Sequence, residues 1–368
     1  MKHFLGTVFV ALLLVSGFVS VTLAWVYSSD TTREVYISPD GKRIITTTLY
    51  ARLTRIWDAE TGKELARVNS DAPVAFSSDG TKFVNLKGNN EAEVFETETG
   101  KSLQNFKGHT GPLSSATFSS DGKKIVSTSE DGTARIWDID TGKELLKMEG
   151  HIENPPNSDK DGRVNFSDRV NFAVFSPDGK AIVTFGNRRD DARVWDAESG
   201  KELRKLEGMP YMSAGLGVTV AFSPDSKTII AGGSLAIRIW DVESGKELPK
   251  LVEGQGHTLV RSIAFSSDGK KIVTVGHGDP SITNKNYKPY FTARIWDADT
   301  GKELQKLEIF APEQNVDEGP LPKPYTAALL PDGKQIITMY RMDTRIWDAE
   351  SGQELEKIVL QDLYSPAM

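Results

Sequence analysis

The chain has 368 residues, a formal net charge of -7 and no cysteine. The missing thiols exclude disulfides, thiolate metal sites, cysteine nucleophiles and lipid attachment through an N-terminal Cys, and the acidic balance leaves no basic field to gather nucleic-acid phosphates. The five histidines, His3, His109, His151, His257 and His277, lie too far apart in sequence to suggest a metal centre.

Met1-Lys2-His3 precedes Phe4 to Tyr27, 24 residues without a formal charge, longer than the roughly 20 a helix needs to cross a bilayer. Residues 1–29 are read as one hydrophobic helix, a signal peptide or a transmembrane anchor. A cleaved signal has an apolar core of roughly 7 to 15 residues and a small-residue cleavage site, for which Thr22-Leu23-Ala24 or Val15-Ser16-Gly17 serves. A retained anchor uses the full length and puts Trp25 and Tyr27 at the outer interface. Either way Lys2 stays cytoplasmic and the rest is exported. The product is then membrane-anchored outside the cytoplasm, or secreted or periplasmic after cleavage.

From Ser38 to Asp348 one pattern recurs: a turn on Asp-Gly, a short apolar run, Ile/Val-Trp-Asp, then Thr/Ser-Gly-Lys-Glu-Leu. The third copy shows it whole, from Gly108-His109 through Ser119-Ser120-Asp121-Gly122, Ile125-Val126 and Arg135-Ile136-Trp137-Asp138 to Thr141-Gly142-Lys143-Glu144-Leu145. The Trp positions are Trp57, Trp137, Trp195, Trp240, Trp296 and Trp347, with Phe95 as substitute in the second copy, and they lie 38 to 58 residues apart. Seven turn aspartates match them: Asp40, Asp79, Asp121, Asp178, Asp225, Asp268 and Asp332.

These residues closely resemble the WD40 repeat, and the resemblance spans about residues 33 to 360. It implies an all-β fold, a seven-bladed WD40 β-propeller preceded by the N-terminal hydrophobic helix. The domains are then 1–29, the segment above; 30–362, the propeller; and 363–368, a C-terminal tail. In each copy strand a precedes the Asp-Gly turn, b follows it, c carries Trp-Asp and d carries Lys-Glu-Leu; in the first copy these are Arg33–Ile37, Arg43–Thr47, Leu53–Trp57 and Lys63–Val68. The chain begins with strand a and ends with strand d, so closure of the ring is expected to rest on packing between the first and last blades.

An antiparallel meander puts the a–b and c–d turns at one end and the b–c and d–a loops at the other. The turns barely vary, and turn chemistry explains their repetition. Their lysines and glutamates, such as Lys143 and Glu144, read as a solvated mixed-charge rim. The loop end holds every sizeable insertion: Ile152 to Arg169, Gly208 to Gly217, Phe310 to Pro324, Gly276 to Phe291 and the short Asn187 to Asp191. Insertions gathered on one face of a repeat protein mark its binding side. Candidate binding residues there are Arg188, Arg189, Tyr211, Met212, His277, Asp279, Tyr287, Tyr290, Phe310 and Tyr325, because aromatic side chains and arginine make interface anchors.

His109, Ser127, Asp131 and Trp137 match the hydrogen-bonded tetrad that the WD40 resemblance implies, a structural feature that imitates a hydrolase triad. The sixth copy offers His257, Thr274, Trp296 and Asp279, and the other copies lack the set. Arginine stands two residues before each Trp, from Arg55 to Arg345, and reads as one half of a structural ion pair.

The reading is a non-catalytic interaction scaffold that binds a protein or peptide through the loop-rich face of the fourth to seventh blades, with no cofactor, metal or nucleic acid, and with a membrane contact through the uncleaved N-terminal segment. The alternative is a small-ligand or carbohydrate-binding propeller, and less so a glycosidase drawing on Asp159, Asp161, Asp190, Asp279 or Asp317. Thr-Gly-Lys-Glu-Leu is also similar to the quinoprotein dehydrogenase repeat, but Ala66, Gln104, Leu146, Arg204, Pro249, Gln305 and Glu356 stand where that repeat has its docking Trp.

Overall fold

The computed structural model describes residues 22–24, 32–48, 53–59, 61–69, 75–88, 90–151, 169–186, 192–208, 219–233, 237–248, 251, 259–277, 290–310, 325–329, 335–340, 343–348, 351 and 353–359. Among them every regular element is a β-strand, and the strands form seven antiparallel sheets. The third sheet sets the pattern, with Leu113–Phe118, Lys124–Ser129, Thr133–Asp138 and Glu144–Glu149 side by side as strands a to d. The second (Ala75–Phe76 to Ser102–Lys107), fourth (Val170–Phe175 to Glu202–Leu206), sixth (Leu259–Phe265 to Glu303–Phe310) and seventh (Tyr325–Leu329 to Glu354–Val359) repeat it. The fifth keeps three strands, Thr219–Phe222, Thr228–Gly232 and Ile237–Asp241. In the place of its d strand only Glu247 bridges Trp240; Pro249 follows, and proline cannot donate to a ladder.

Burial explains the strand sequences. Strands b and c of the third sheet are buried almost throughout, whereas d, on the outer edge, is mostly exposed. Successive side chains of a strand point to opposite faces. So Ile125 and Trp137 pack with Val84, Val94 and Phe106 of the preceding sheet, while Val126 and Ile136 pack with Ala173, Ile182 and Trp195 of the following one. The same relay joins the first sheet to the second, the fourth to the fifth and the fifth to the sixth. Each fully buried isoleucine in these layers contributes about 1.5–3 kcal/mol.

The turns hold the sheets in line at one end. Ser119 Oγ donates to the Asp121 carboxylate (2.6 Å), which accepts Lys123 N–H (3.0 Å), and Gly122 at φ 67° lets the chain reverse. In the c–d turn the Asp138 carboxylate accepts both N–H and Oγ–H of Thr141 (2.8 and 2.6 Å). Neighbouring turns touch: Ser78 Oγ donates to Ser120 O (2.8 Å), Asp178 N–H to Ser226 Oγ (3.0 Å) and Arg204 Nε to Glu243 O (2.9 Å).

One element departs from expectation. Thr22–Ala24, expected within the hydrophobic helix, is a β-strand that pairs antiparallel with strand a of the first sheet, Thr32–Ile37, in the register Thr22 to Tyr36, Leu23 to Val35 and Ala24 to Glu34. The first sheet therefore has five strands, completed by Arg43–Thr48, Leu53–Asp58 and Glu64–Asn69. The added strand has Cα atoms within 8 Å of Tyr325–Leu329 in the seventh sheet, so the chain does not begin with strand a, and the seam between first and last sheets holds a further strand. Among the described residues no helix is long and apolar enough to cross a membrane; residues 1–21 lie outside them.

Candidate functional site

The third sheet brings His109, Ser127, Asp131 and Trp137 into one chain of hydrogen bonds. His109 Nδ1 lies 2.8 Å from Asp131 Oδ2 and its Nε2 2.8 Å from Ser127 Oγ, which also accepts the Trp137 indole N–H at 2.8 Å. Strand b supplies the serine, strand c the tryptophan, the b–c turn the aspartate and the connection before strand a the histidine. Burial alone would raise the Asp131 carboxyl, but hydrogen bonds from His109, Thr133 and the Thr110 N–H, with the His109 charge, hold it far below the usual carboxylate range. The order Ser–His–Asp is that of a hydrolase triad, yet Ser127 is 1% exposed and His109 4%. A nucleophile needs access to substrate, and this serine oxygen is turned inward onto an indole. The group ties two strands, the turn between them and the connection before strand a together.

Partial versions recur. Trp57 donates to Thr46 Oγ1 (2.9 Å) and Trp296 to Thr274 Oγ1 (2.9 Å). Ala231 occupies the hydroxyl position of the fifth sheet, and Trp240 donates instead to the Glu207 carbonyl (3.0 Å). In the fourth sheet His151 Nε2 sits 2.6 Å from Thr184 Oγ1, which accepts the Trp195 indole at 2.8 Å. The fourth copy, expected to lack the set, thus has three of its members among the described residues. The signal was present: Gly150-His151 repeats Gly108-His109, and Thr184 stands for Ser127. His257 and Asp279 of the sixth copy lie outside the described residues.

The repeated arginines pair across strands c and d rather than with the acid after Trp. Arg135 Nη1 meets Glu144 Oε2 at 2.7 Å, Arg193 meets Glu202 at 2.6 Å, Arg238 meets Glu247 at 2.9 Å and Arg294 meets Glu303 at 2.9 Å. These glutamates do not form a free solvated rim with the neighbouring lysines, as the spacing suggested. In the second sheet the polarity is inverted: Glu93 accepts from Lys87 Nζ (2.8 Å) and from Ser102 Oγ.

At the loop end the strand termini carry four of the candidate binding residues. His277 ends strand b of the sixth sheet opposite Phe291, Tyr290 begins strand c opposite Phe310, and Tyr325 begins strand a of the seventh sheet opposite Tyr340. Strands b, c and d of the sixth sheet run 7, 8 and 8 residues, so Gly276, Tyr290, Phe291 and Phe310, expected in loops, are strand residues. Arg188, Arg189, Tyr211, Met212, Asp279 and Tyr287 lie outside the described residues.

Three segments, 100–138, 201–241 and 248–283, match the family model for the WD domain, G-beta repeat. No curated protein matches the chain. A crystal structure of the computationally designed Ika8 protein is similar in fold, with a TM-score of 0.60 and 22% identity over 93% of this chain and 88% of that one. Fold and repeat together define the class, an all-β, propeller-like protein. The chain carries WD40 repeats at these three positions.

Proposed function

We propose that the protein is a non-catalytic interaction scaffold, a seven-bladed WD40 propeller whose loop end binds a protein or peptide. The observation that carries this is the asymmetry of the two ends. Turns of one kind, bonded to each other, occupy one end, while the insertions at 152–168, 187–191, 209–218, 278–289 and 311–324 all join strand termini of the other: Glu149 and Val170, Gly186 and Ala192, Leu206 and Thr219, His277 and Tyr290, Phe310 and Tyr325. Packing alone does not require insertions to gather at one end; a recognition surface does. Seven sheets in sequence, with a strand at the seam between last and first, support the closed ring. WD40 domains in general mediate protein contacts, and the buried Ser127-His109 pair explains its own geometry without chemistry.

The apolar N-terminal segment supports export, with the propeller held outside the cytoplasm. Cleavage after Ala24 would remove the strand Thr22–Ala24 from the first sheet, whereas cleavage near Gly17 or a retained anchor keeps it.

The test is capture from envelope extracts by the full chain and by a variant with Arg189, Tyr287 and Tyr290 changed to Ala. A protein enriched by the wild type and lost with the variant, at an unchanged melting temperature, is the expected result. Equal capture by both would refute recognition through this end.

A further inference from the structure

We infer that the turn end of the domain faces the lipid bilayer and that the loop end points away from it. The inference rests on the proposed export and takes, of its alternatives, the retained anchor. Its own basis is the direction of one strand. Strand a of the first sheet runs from the loop end at Thr32 to the turn end at Ile37, where the Ser38-Pro39-Asp40-Gly41 turn begins. Thr22–Ala24 runs antiparallel to it, with Thr22 opposite Tyr36 and Ala24 opposite Glu34. Thr22 is therefore nearest the turn end, and the chain before it leaves the domain there.

The length of that chain sets the distance. Phe4–Val21 is 18 residues without a formal charge, about 27 Å as a helix against roughly 30 Å of hydrocarbon. Once Thr22–Ala24 belongs to the sheet, no residues remain for a spacer, and a domain tethered so closely rests its turn end on the headgroups. That end presents exposed Lys63, Lys143 and Lys201 among exposed Asp140 and Glu198, with exposed Leu145 and Leu203 just beyond the turns, a mixed surface that a headgroup layer accommodates. The arrangement leaves the loop end, about 20 Å further out across strands of six residues, free for a partner.

The chain has no cysteine, so single labels are unambiguous. Asp140→Cys and Glu198→Cys mark c–d turns, and Thr110→Cys and Glu207→Cys mark the loop end; all four positions are exposed. Each full-length variant, bearing a fluorophore, is reconstituted into phosphatidylcholine vesicles that carry a headgroup nitroxide, then floated on a density gradient. The expected result is co-flotation with strong quenching at Asp140→Cys and Glu198→Cys and little at Thr110→Cys and Glu207→Cys. Co-flotation with equal quenching at both ends, or with the reverse order, leaves the anchor standing and overturns the orientation. Protein left at the bottom of the gradient removes the anchor and the inference with it.

Discussion

Asp131 shows how much a single carboxylate does here. Its two oxygens take bonds from His109, Thr110 and Thr133, so its folded pKa lies below the unfolded value of about 3.9. A lowered pKa adds stability that is complete above about pH 4 and disappears as pH falls through the folded value. Asp131→Asn should therefore melt at a lower temperature than wild type at pH 7, and the gap should narrow as pH drops from 5 to 3; a gap independent of pH would show that the charge is not what matters. Ser226 carries a different cost, holding φ 65° where the other described a–b turns have glycine, a conformation that costs a side-chain-bearing residue roughly 1–2 kcal/mol. Its Oγ accepts Asp178 N–H from the a–b turn of the preceding sheet. Ser226→Ala keeps the strain and loses the bond, so chemical denaturation should show a loss of about 1 kcal/mol. Ser226→Gly loses the bond but relieves the strain, and its stability should lie close to wild type. The reverse order of the two variants would mean that the positive φ carries no strain, and an unchanged Ser226→Ala would mean that the hydrogen bond has no weight.

At the scale of the element, what was legible in the sequence was local. Ser-x-Asp-Gly, Trp-Asp and Thr-Gly-Lys-Glu each close hydrogen bonds within a few residues, so their spacing announces the turns and the strands between them. Partners that meet through the fold were harder to read. The glutamate after Gly-Lys looks like half of a surface pair with its neighbour, but bonds an arginine nine residues earlier, as in Arg193 and Glu202. His151 lies 33 residues before Thr184, and nothing local says that Thr184 and Trp195 converge on it. Thr22–Ala24 lies in an apolar run where hydropathy argues for helix, and only pairing with Tyr36, Val35 and Glu34 makes it a strand. The sequence reads Tyr290 and Phe310 as loop residues because no turn signal marks the lengthened strands of the sixth sheet. Gly150 tests the packing between these elements. A Cβ there would sit 2.7 Å from Trp195 Cη2 and 3.1 Å from Arg193 Nη1, both in packed surroundings. Gly150→Ala should cost about 1–3 kcal/mol by displacing the indole from Thr184, seen as a lower melting temperature with altered tryptophan emission. An unchanged melting curve would show that this junction yields freely.

Across the whole molecule, sheets that cannot bury their faces alone gain stability by stacking on their neighbours. The buried strands stack sheet on sheet and neighbouring turns bond to each other at one end, whereas the insertions join strand termini at the other, and a partner is proposed to bind there. The added strand at the seam gives the two ends different neighbours as well: the N-terminal segment departs from the turn end, opposite the candidate residues Tyr290, Phe310 and Tyr325. The central claim is recognition through the loop end. The most direct measurement takes the captured partner and titrates it against full-length chains bearing a bulky polyethylene glycol at one cysteine, either Glu207→Cys at the loop end or Glu198→Cys at the turn end. The account predicts that the Glu207 adduct loses binding while the Glu198 adduct binds as the unmodified protein does. Binding that survives at Glu207 and is blocked at Glu198 would contradict it.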